Sequence, residues 1–191
     1  MNRKDAILHA AIALFAKKGY NATSTSAVAK KAGVAEGLIF HHFKNKRSIF
    51  ITIFEKMVNE YTCGIEQILN SDNSGINDLE NIICFHFNFS KKKSKEFLLL
   101  MRDVPTELLQ SKSSQRQLVI DNIENILDLY KKCIKKGQQD GSIRKISCQK
   151  TALIIYGMLH GIGRLKVQGI LYIPDMSQEI IKFCRLSFAE N

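Results

Sequence analysis

Residues 36 to 42 combine side chains that could read the edges of DNA bases. The Glu36 carboxylate can accept a hydrogen bond from a cytosine amine, and the His41 imidazole can donate one to a guanine acceptor. Gly37 has no side chain, so the backbone could lie close to the groove wall. The Phe40 ring could touch a thymine methyl group or a sugar. The segment therefore predicts base contacts in a DNA major groove.

These side chains need a helix that is held in place by a second helix. A first helix can begin at Thr25 or Ser26, whose hydroxyl could cap it, and end at Gly33, which can take the left-handed conformation of a tight turn. A second helix is expected from Ala35 or Glu36. The pair is predicted to be a helix-turn-helix whose second helix fits a major groove.

An amphipathic helix from Arg3 to Lys18 is predicted to supply the core for this corner. Four residues are expected to be buried rather than to contact DNA: Phe15, Val28, Ile39 and Phe43. Residues 1–47 hold nine Lys or Arg against two acidic residues, so +7 of the formal net charge of +10 lies in this quarter. That imbalance indicates that residues 1–47 form a phosphate-binding domain. A solvated basic face without a partner is the alternative.

The motif around the turn resembles the DNA-binding signature of the TetR family of bacterial transcriptional repressors. The matching residues are Ala29, Ala32, Gly33, Val34, Gly37, Ile39, Phe40, His42, Phe43 and Lys46. The resemblance implies phosphate contacts from Thr25, His42 and Lys46, whose hydroxyl, imidazole and ammonium groups can each donate to phosphate oxygen. It spans roughly residues 3 to 54, and beyond them only length and helical pattern are similar.

Three positions depart from the family pattern. Ala35 stands where a capping Ser or Thr is usual, which removes about 1 kcal/mol of helix stability. Phe40 replaces a Tyr, so no phenol can donate to phosphate, and Glu36 brings a negative charge close to the DNA backbone. His41 and His42 are adjacent and point about 100° apart on a helix, which disfavours a shared metal site. Neither a metal nor a cofactor is expected.

Composition predicts an all-α protein of about nine helices. The chain has 191 residues with only 2 prolines and 11 glycines, and its 5 cysteines are scattered without a C-x-x-C pair. No apolar run reaches the roughly 20 residues of a membrane span, and no signal peptide is apparent, so a cytoplasmic protein without a membrane partner is expected. Residues 48–191 are predicted to form an effector-binding and dimerisation domain. Its helices are predicted at 46–69, 78–90, 97–104, 114–138, 148–169 and 177–189, with the second apolar nearly all round and the third ended by Pro105.

Two groups of residues in this second domain could bind partners. Leu153, Gly157, Gly161 and Leu165 recur every four residues on one strip, where glycines permit the close approach of a second protomer through a four-helix interface. Packing within one chain is the alternative for this strip. Aromatic and polarizable side chains on the middle helices could line an effector pocket, although such a set is also typical of an ordinary core: Phe85, His86, Phe89, Met101, Tyr130, Tyr156 and His160.

Together with these residues, the resemblance to the TetR family implies a homodimeric repressor of a palindromic operator, with double-stranded DNA and a small-molecule effector as partners. The effector would favour a dimer with wrongly spaced recognition helices and so release DNA. A helical adaptor with vestigial DNA binding is the alternative, motivated by the donors lost at Ala35 and Phe40. An enzyme with His86 or His160 as base is not favoured, because no nucleophile, carboxylate or phosphate loop accompanies them at a motif spacing.

Overall fold

A computed structural model describes residues 2–102, 114–169 and 172–189, without the side chains of residues 101, 102, 114, 115, 167 and 168. Nine α-helices occur in these residues, together with one isolated β-bridge between Ile143 and Ala189, which confirms the all-α prediction. The helices are α1 Arg3–Lys18, α2 Thr25–Ala32, α3 Glu36–His42, α4 Lys46–Leu69, α5 Gly75–Lys92, α6 Ser94–Arg102, α7 Ser114–Gln139, α8 Cys148–Gln168 and α9 Ser177–Phe188.

The fifth helix begins three residues earlier than predicted. Its first turn contains Gly75 and Ile76, whose backbone N–H groups donate to the Asp140 carboxylate at 2.7 Å and to the Ser142 hydroxyl at 3.1 Å. These partners come from the α7–α8 connection and satisfy N–H groups that the start of a helix leaves unpaired. Because the caps are distant in sequence, the local pattern indicated a loop there.

Two other features of this region differ from the predictions. Helix α5 is not apolar all round, since Asn77, Asn81 and Asn88 are exposed to solvent. The gap predicted between the helices 78–90 and 97–104 is reduced to Lys93, because α5 continues through Lys92 and α6 starts at Ser94. The predicted stop at Pro105 and the segment 106–113 lie outside the described residues.

The chain divides into two compact units. The first comprises Met1–Asn59 and Lys93–Gln117, and the second comprises Glu60–Lys92 and Leu118–Asn191. Helix α4 therefore contributes its first part to one unit and its last part to the other. The first unit includes the start of α4, whose Phe50 ring packs on Tyr20, and α6, which packs on α1. A functional boundary at residue 47 stays a prediction.

The first unit is built on α1, which packs against α2 and α6. Phe15, Val28, Ile39 and Phe43 are all buried, as the sequence predicts. Tyr20 follows α1 and packs against both α1 and α4. The centre of its ring lies 5.3 Å from that of Phe15 on α1 and 5.4 Å from that of Phe50 on α4. Burial of such aromatic groups fixes the connection that leads into α2.

The second unit centres on α5, which packs against α8 and α9. Its core includes Leu79, Ile82 and Ile83, none of which is exposed to solvent. An ion pair joins α5 to α7. The ammonium group of Lys136 on α7 lies 2.6 Å from a carboxylate oxygen of the fully buried Asp78 on α5, and 2.8 Å from the Ser71 carbonyl. The Ser71 hydroxyl lies 3.0 Å from the other Asp78 oxygen.

Replacing Lys136 with methionine is expected to lower the free energy of unfolding by about 3 kcal/mol, since it leaves the Asp78 carboxylate buried without a cation. Denaturant unfolding followed by circular dichroism measures the change. The matched control is Lys135→Met, which removes the same charge from an exposed position. The double variant Asp78→Asn with Lys136→Met should recover most of the loss, and a single variant as stable as its control would contradict the prediction.

Candidate nucleic-acid interface and effector site

The first helix of the corner is capped by Ser24 and not, as predicted, by Thr25 or Ser26. The Ser24 hydroxyl accepts a hydrogen bond from the Ala27 backbone N–H at 3.1 Å, while Ser24 itself has extended backbone angles. Thr25 is the first helical residue. A capping side chain must come from the residue just before the helix, so the neighbouring hydroxyl has another role.

The turn between α2 and α3 has the predicted geometry. Gly33 adopts the left-handed conformation with φ of 67°, and the Val34 N–H donates to the Ala29 carbonyl. Helix α3 then begins at Glu36 after Ala35, which makes no side-chain cap hydrogen bond. The loss of a cap expected from Ala35 is therefore visible in the structure.

Helix α3 presents one side to solvent and one side to the core. Ile39 is fully buried, whereas Glu36, Gly37, Phe40 and His41 are exposed. The Phe40 ring keeps 54% of its surface exposed, and a Cβ built on Gly37 would meet nothing within 4 Å. The residues predicted to contact bases thus share an accessible surface.

A hydrogen bond that the sequence did not predict joins the starts of the two helices. The Thr25 hydroxyl donates to the Glu36 carboxylate oxygen Oε1 at 3.0 Å. Thr25 was expected to donate to phosphate and Glu36 to accept from a base. Eleven residues separate them, so only the geometry of the turn brings these two side chains together.

Lys46 holds the connection between α1 and α2. Its ammonium donates to the Tyr20 carbonyl at 3.0 Å and to the Asn21 carbonyl at 3.4 Å, and it lies 4.4 Å from the centre of the Tyr20 ring. These contacts give Lys46 a structural role in addition to the predicted phosphate contact. His42 is half-buried, with its ring 5.1 Å from that of His41.

Replacing Lys46 with methionine is expected to lower the free energy of unfolding by about 1–2 kcal/mol, because two carbonyls lose a charged donor at a partly exposed site. Thermal unfolding measures this change, and Lys44→Met is the control because it removes a charge from an exposed neighbour. Equal stability of the two variants would show that the contacts contribute nothing. Any loss of DNA affinity should be compared between the same variants at a temperature where both are folded.

The second unit contains a cluster of buried and half-buried polar aromatic side chains, which we call the tyrosine–histidine cluster. It consists of Tyr61, His86, Tyr130, Tyr156 and His160. The Tyr61 hydroxyl lies 3.0 Å from Nδ1 of His86 and 2.8 Å from the Tyr130 hydroxyl. The His160 ring centre is 5.4 Å from that of His86 and 4.0 Å from that of Tyr156.

Apolar rings lie against one side of this cluster. The ring centres of Phe85 and Phe89 are 5.5 Å and 5.4 Å from that of Tyr61, and 5.5 Å from each other. A Cβ on Gly64 would overlap the Phe85 ring, so a glycine at that position admits the close approach of α4 and α5. The site therefore combines an apolar wall with polar groups that are hydrogen-bonded to one another.

Burial keeps the members of the cluster neutral. It lowers the pKa of His86 to about 3, assisted by the neighbouring His160 and opposed by a hydrogen bond to the Leu159 backbone. Burial also lowers the pKa of His160 to about 4. Removal from water raises the pKa of the Tyr61, Tyr130 and Tyr156 hydroxyls above their usual value. At neutral pH the cluster thus offers uncharged donors and acceptors.

Six of the seven residues predicted to line an effector pocket lie in the second unit and take part in these contacts. The side chain of Met101 is outside the described residues. Sequence reasoning missed Tyr61 of α4 as a member of this site. A phenol hydroxyl among the apolar residues of a long helix is the signal that could have identified it, since a buried hydroxyl needs a partner.

The predicted dimer strip is accessible in the single chain. Leu153, Gly157, Gly161 and Leu165 are all exposed on α8, and a Cβ on either glycine would meet nothing within 4 Å. Packing of the strip inside one chain is therefore not observed among the described residues. Helix α9 adds further exposed apolar residues, including Leu186, which keeps 79% of its surface exposed.

Two family models match the chain and together cover most of it. A model described as bacterial regulatory proteins of the tetR family matches residues 7–53. A model described as tetracyclin repressor-like, C-terminal domain, matches residues 54–185, which is more than half of the 191 residues. The chain belongs to the TetR family. This confirms the resemblance seen in the motif, and it assigns the protein to the transcription regulators rather than to the enzymes.

Individual relatives extend over different parts of this TetR family chain. The fatty acid metabolism regulator protein of Bacillus subtilis is 29% identical over 139 residues, which are 73% of this chain and 70% of the relative. The regulator QacR of Staphylococcus aureus is 45% identical over 53 residues, which are 28% of each chain. The transcriptional regulator FadR of Bacillus subtilis, solved in complex with stearoyl-CoA, has the same fold, with a TM-score of 0.82 and 22% identity over 94% of this chain and 96% of that chain.

Neither a membrane-spanning helix nor a metal cluster occurs in the described residues. No helix there combines the length and apolar character that crossing a membrane requires. No group of three or more His, Cys, Asp or Glu in those segments could hold a metal ion, and His41 and His42 belong to none.

Proposed function

We propose that the protein is a homodimeric repressor that binds a palindromic operator and releases it when a small molecule enters the second unit. The observation that carries this proposal is the exposed face of α3, where Glu36, Gly37, Phe40 and His41 stand together while Ile39 anchors the helix in the core. A helix held in this way can enter a major groove and reach base edges. The repressor would act in the cytoplasm, where its operator lies.

A dimer follows from the number of bases that one such helix can read. One recognition helix contacts only a few base pairs, and two placed roughly 34 to 36 Å apart read two half-sites one helical turn apart. The exposed strip Leu153–Gly157–Gly161–Leu165 is the proposed contact between protomers. Without side chains at the two glycines, the α8 helices of two protomers could approach closely.

The tyrosine–histidine cluster is the proposed effector site. Its hydrogen-bonded hydroxyl and imidazole groups could exchange partners with a polar group of the effector, while Phe85 and Phe89 contact an apolar part. The relative named for fatty acid metabolism and the neighbour solved with stearoyl-CoA suggest a long-chain acyl compound as the first probe. Tyr61 belongs to α4, the helix that also contains Lys46, so effector contacts could reach the DNA-binding unit along one helix.

The test is a selection from random duplexes at near-physiological salt, followed by titration of the selected operator with stearoyl-CoA. We expect a palindrome with half-sites about one turn apart, and release of DNA by the acyl compound. A complete shift from 99:1 to 1:99 requires an effector that prefers the released state by about 5.5 kcal/mol. Tyr61→Phe should weaken the response without weakening operator binding. Binding that depends on salt but not on sequence, or no binding at all, would favour the helical adaptor instead.

A further inference from the structure

Thr25 and Glu36 form a pair at the exposed start of the two helices of the corner. The Thr25 hydroxyl donates to Glu36 Oε1 at 3.0 Å. A hydroxyl has a single proton to donate, so this bond competes with any donation from Thr25 to phosphate. The capping role is already filled by Ser24, whose hydroxyl accepts from the Ala27 N–H. In this structure the hydroxyl proton of Thr25 is therefore donated to Glu36.

The carboxylate keeps acceptor capacity after this bond. A carboxylate has two oxygens with about four acceptor positions, of which Thr25 occupies one. Glu36 and Gly37 are both exposed at the start of α3, and a Cβ built on Gly37 would meet nothing within 4 Å. A base edge can therefore approach the remaining acceptor positions of Glu36.

The chemistry of a carboxylate selects one base. In the major groove guanine presents acceptors at O6 and N7 and thymine presents an acceptor at O4, and both would repel a carboxylate. Adenine has an amine, but its N7 acceptor lies beside it. Cytosine presents the N4 amine and no acceptor at its own major-groove edge, so it is the base that best suits Glu36.

We propose that the Thr25 hydroxyl holds the Glu36 carboxylate in position to accept a hydrogen bond from a cytosine amine, so that Thr25 is a positioning residue for base specificity. This inference rests on the proposed DNA-binding function. It replaces the expected phosphate contact of Thr25, because the two roles use the same proton. It also gives the negative charge of Glu36 a purpose, since repulsion by phosphate weakens binding to all sequences and only the bond to a cytosine amine offsets it.

The two roles of Thr25 predict different effects on DNA binding. Thr25→Val keeps the branched shape and removes the hydroxyl, and Thr25→Ser keeps the hydroxyl. If Thr25 positions Glu36, the valine variant should lose most of a roughly ten-fold preference for cytosine at one position of each half-site, and the serine variant should retain it. If Thr25 instead donates to phosphate, the valine variant should bind all sequences more weakly with the preference intact.

The decisive experiment combines these variants with Glu36→Ala in the full chain. Selection from random duplexes and titration of operators that differ only at the cytosine position measure the preference. Glu36→Ala should abolish the preference and raise affinity for unrelated duplexes several-fold, and Thr25→Val added to it should have no further effect. A uniform loss of affinity in Thr25→Val, or a further loss in the double variant, would overturn the inference. The wild-type protein separates the two proposals. Failure to select any duplex would contradict the proposed DNA-binding function as well, whereas an operator without the cytosine preference would contradict only the proposed role of Thr25 and Glu36.

Discussion

Lowering the pH from about 7.5 to about 5 is expected to reduce the free energy of unfolding by about 4 kcal/mol. The cause is the buried tyrosine–histidine cluster, in which burial lowers the pKa of His86 to about 3 and that of His160 to about 4. In the unfolded chain both imidazoles regain the ordinary value of about 6.5. A loss of this size is a large part of the roughly 5–15 kcal/mol that stabilises a typical domain.

The direction follows from the number of protons bound in each state. Between about pH 6.5 and the folded pKa values, the unfolded chain holds a proton on each histidine and the folded chain does not. The stability from these groups is therefore complete above about pH 6.5 and is lost as the pH falls toward 4. Each histidine contributes about 2 kcal/mol at about pH 5, after allowance for partial protonation.

Urea unfolding at a series of pH values measures this dependence. Circular dichroism is the suitable signal, because the chain is mostly helical and contains no tryptophan. His160→Gln should remove about half of the change between pH 7.5 and 5, whereas His9→Gln, at an exposed position, should leave it intact. A His160→Gln variant with the full dependence of the wild type would show that this imidazole is not held neutral by the fold.

Replacing Leu153 with arginine is expected to separate the protomers and to lower operator affinity by at least about a hundred-fold. Leu153 lies at one end of the proposed dimer strip, and an arginine there would place two like charges across the two-fold axis in an apolar contact. A single protomer reads only one half-site, so the loss of dimerisation removes half of the base contacts.

Sedimentation equilibrium and operator titration measure the two effects of Leu153→Arg. Asn88→Arg adds the same charge at an exposed position of α5 and should change neither the mass in solution nor the affinity for the operator. A Leu153→Arg protein that stays dimeric would place the protomer contact elsewhere. A monomer with unchanged operator affinity would contradict the argument that two recognition helices are required.

Local signals were sufficient to predict the helix-turn-helix. The buried Ile39, the left-handed Gly33 and the uncapped Ala35 depend on residues within a few positions of each other. Helix α4 was also predicted with its observed bounds, because its apolar stripe is long and regular. Such features follow from periodicity and turn chemistry, which a single sequence displays.

Contacts between distant residues were not predictable in the same way. The start of α5 depends on Asp140 and Ser142, more than sixty residues away. The place of Tyr61 in the tyrosine–histidine cluster depends on Tyr130 and His86, which only the packed helices bring to its hydroxyl. The sequence identified the residue types of that cluster, and the tertiary structure decided which of them meet.

Hydrogen bonds join the two ends of the segment that contains α8 and α9, which are residues 143–144 and 187–189. The Arg144 backbone N–H and side-chain Nε donate to the carbonyls of Phe188 and Ser187 at 2.9 Å and 2.8 Å, beside the bridge between Ile143 and Ala189. A segment whose two ends lie close together can be replaced by another sequence with little change to the residues on either side. Helices α8 and α9 bear exposed apolar residues, among them the proposed dimer strip. Related regulators in one cell could therefore diverge in their choice of partner through the surface residues of this segment, and mixed dimers would be avoided without change to α3 or to Tyr156 and His160.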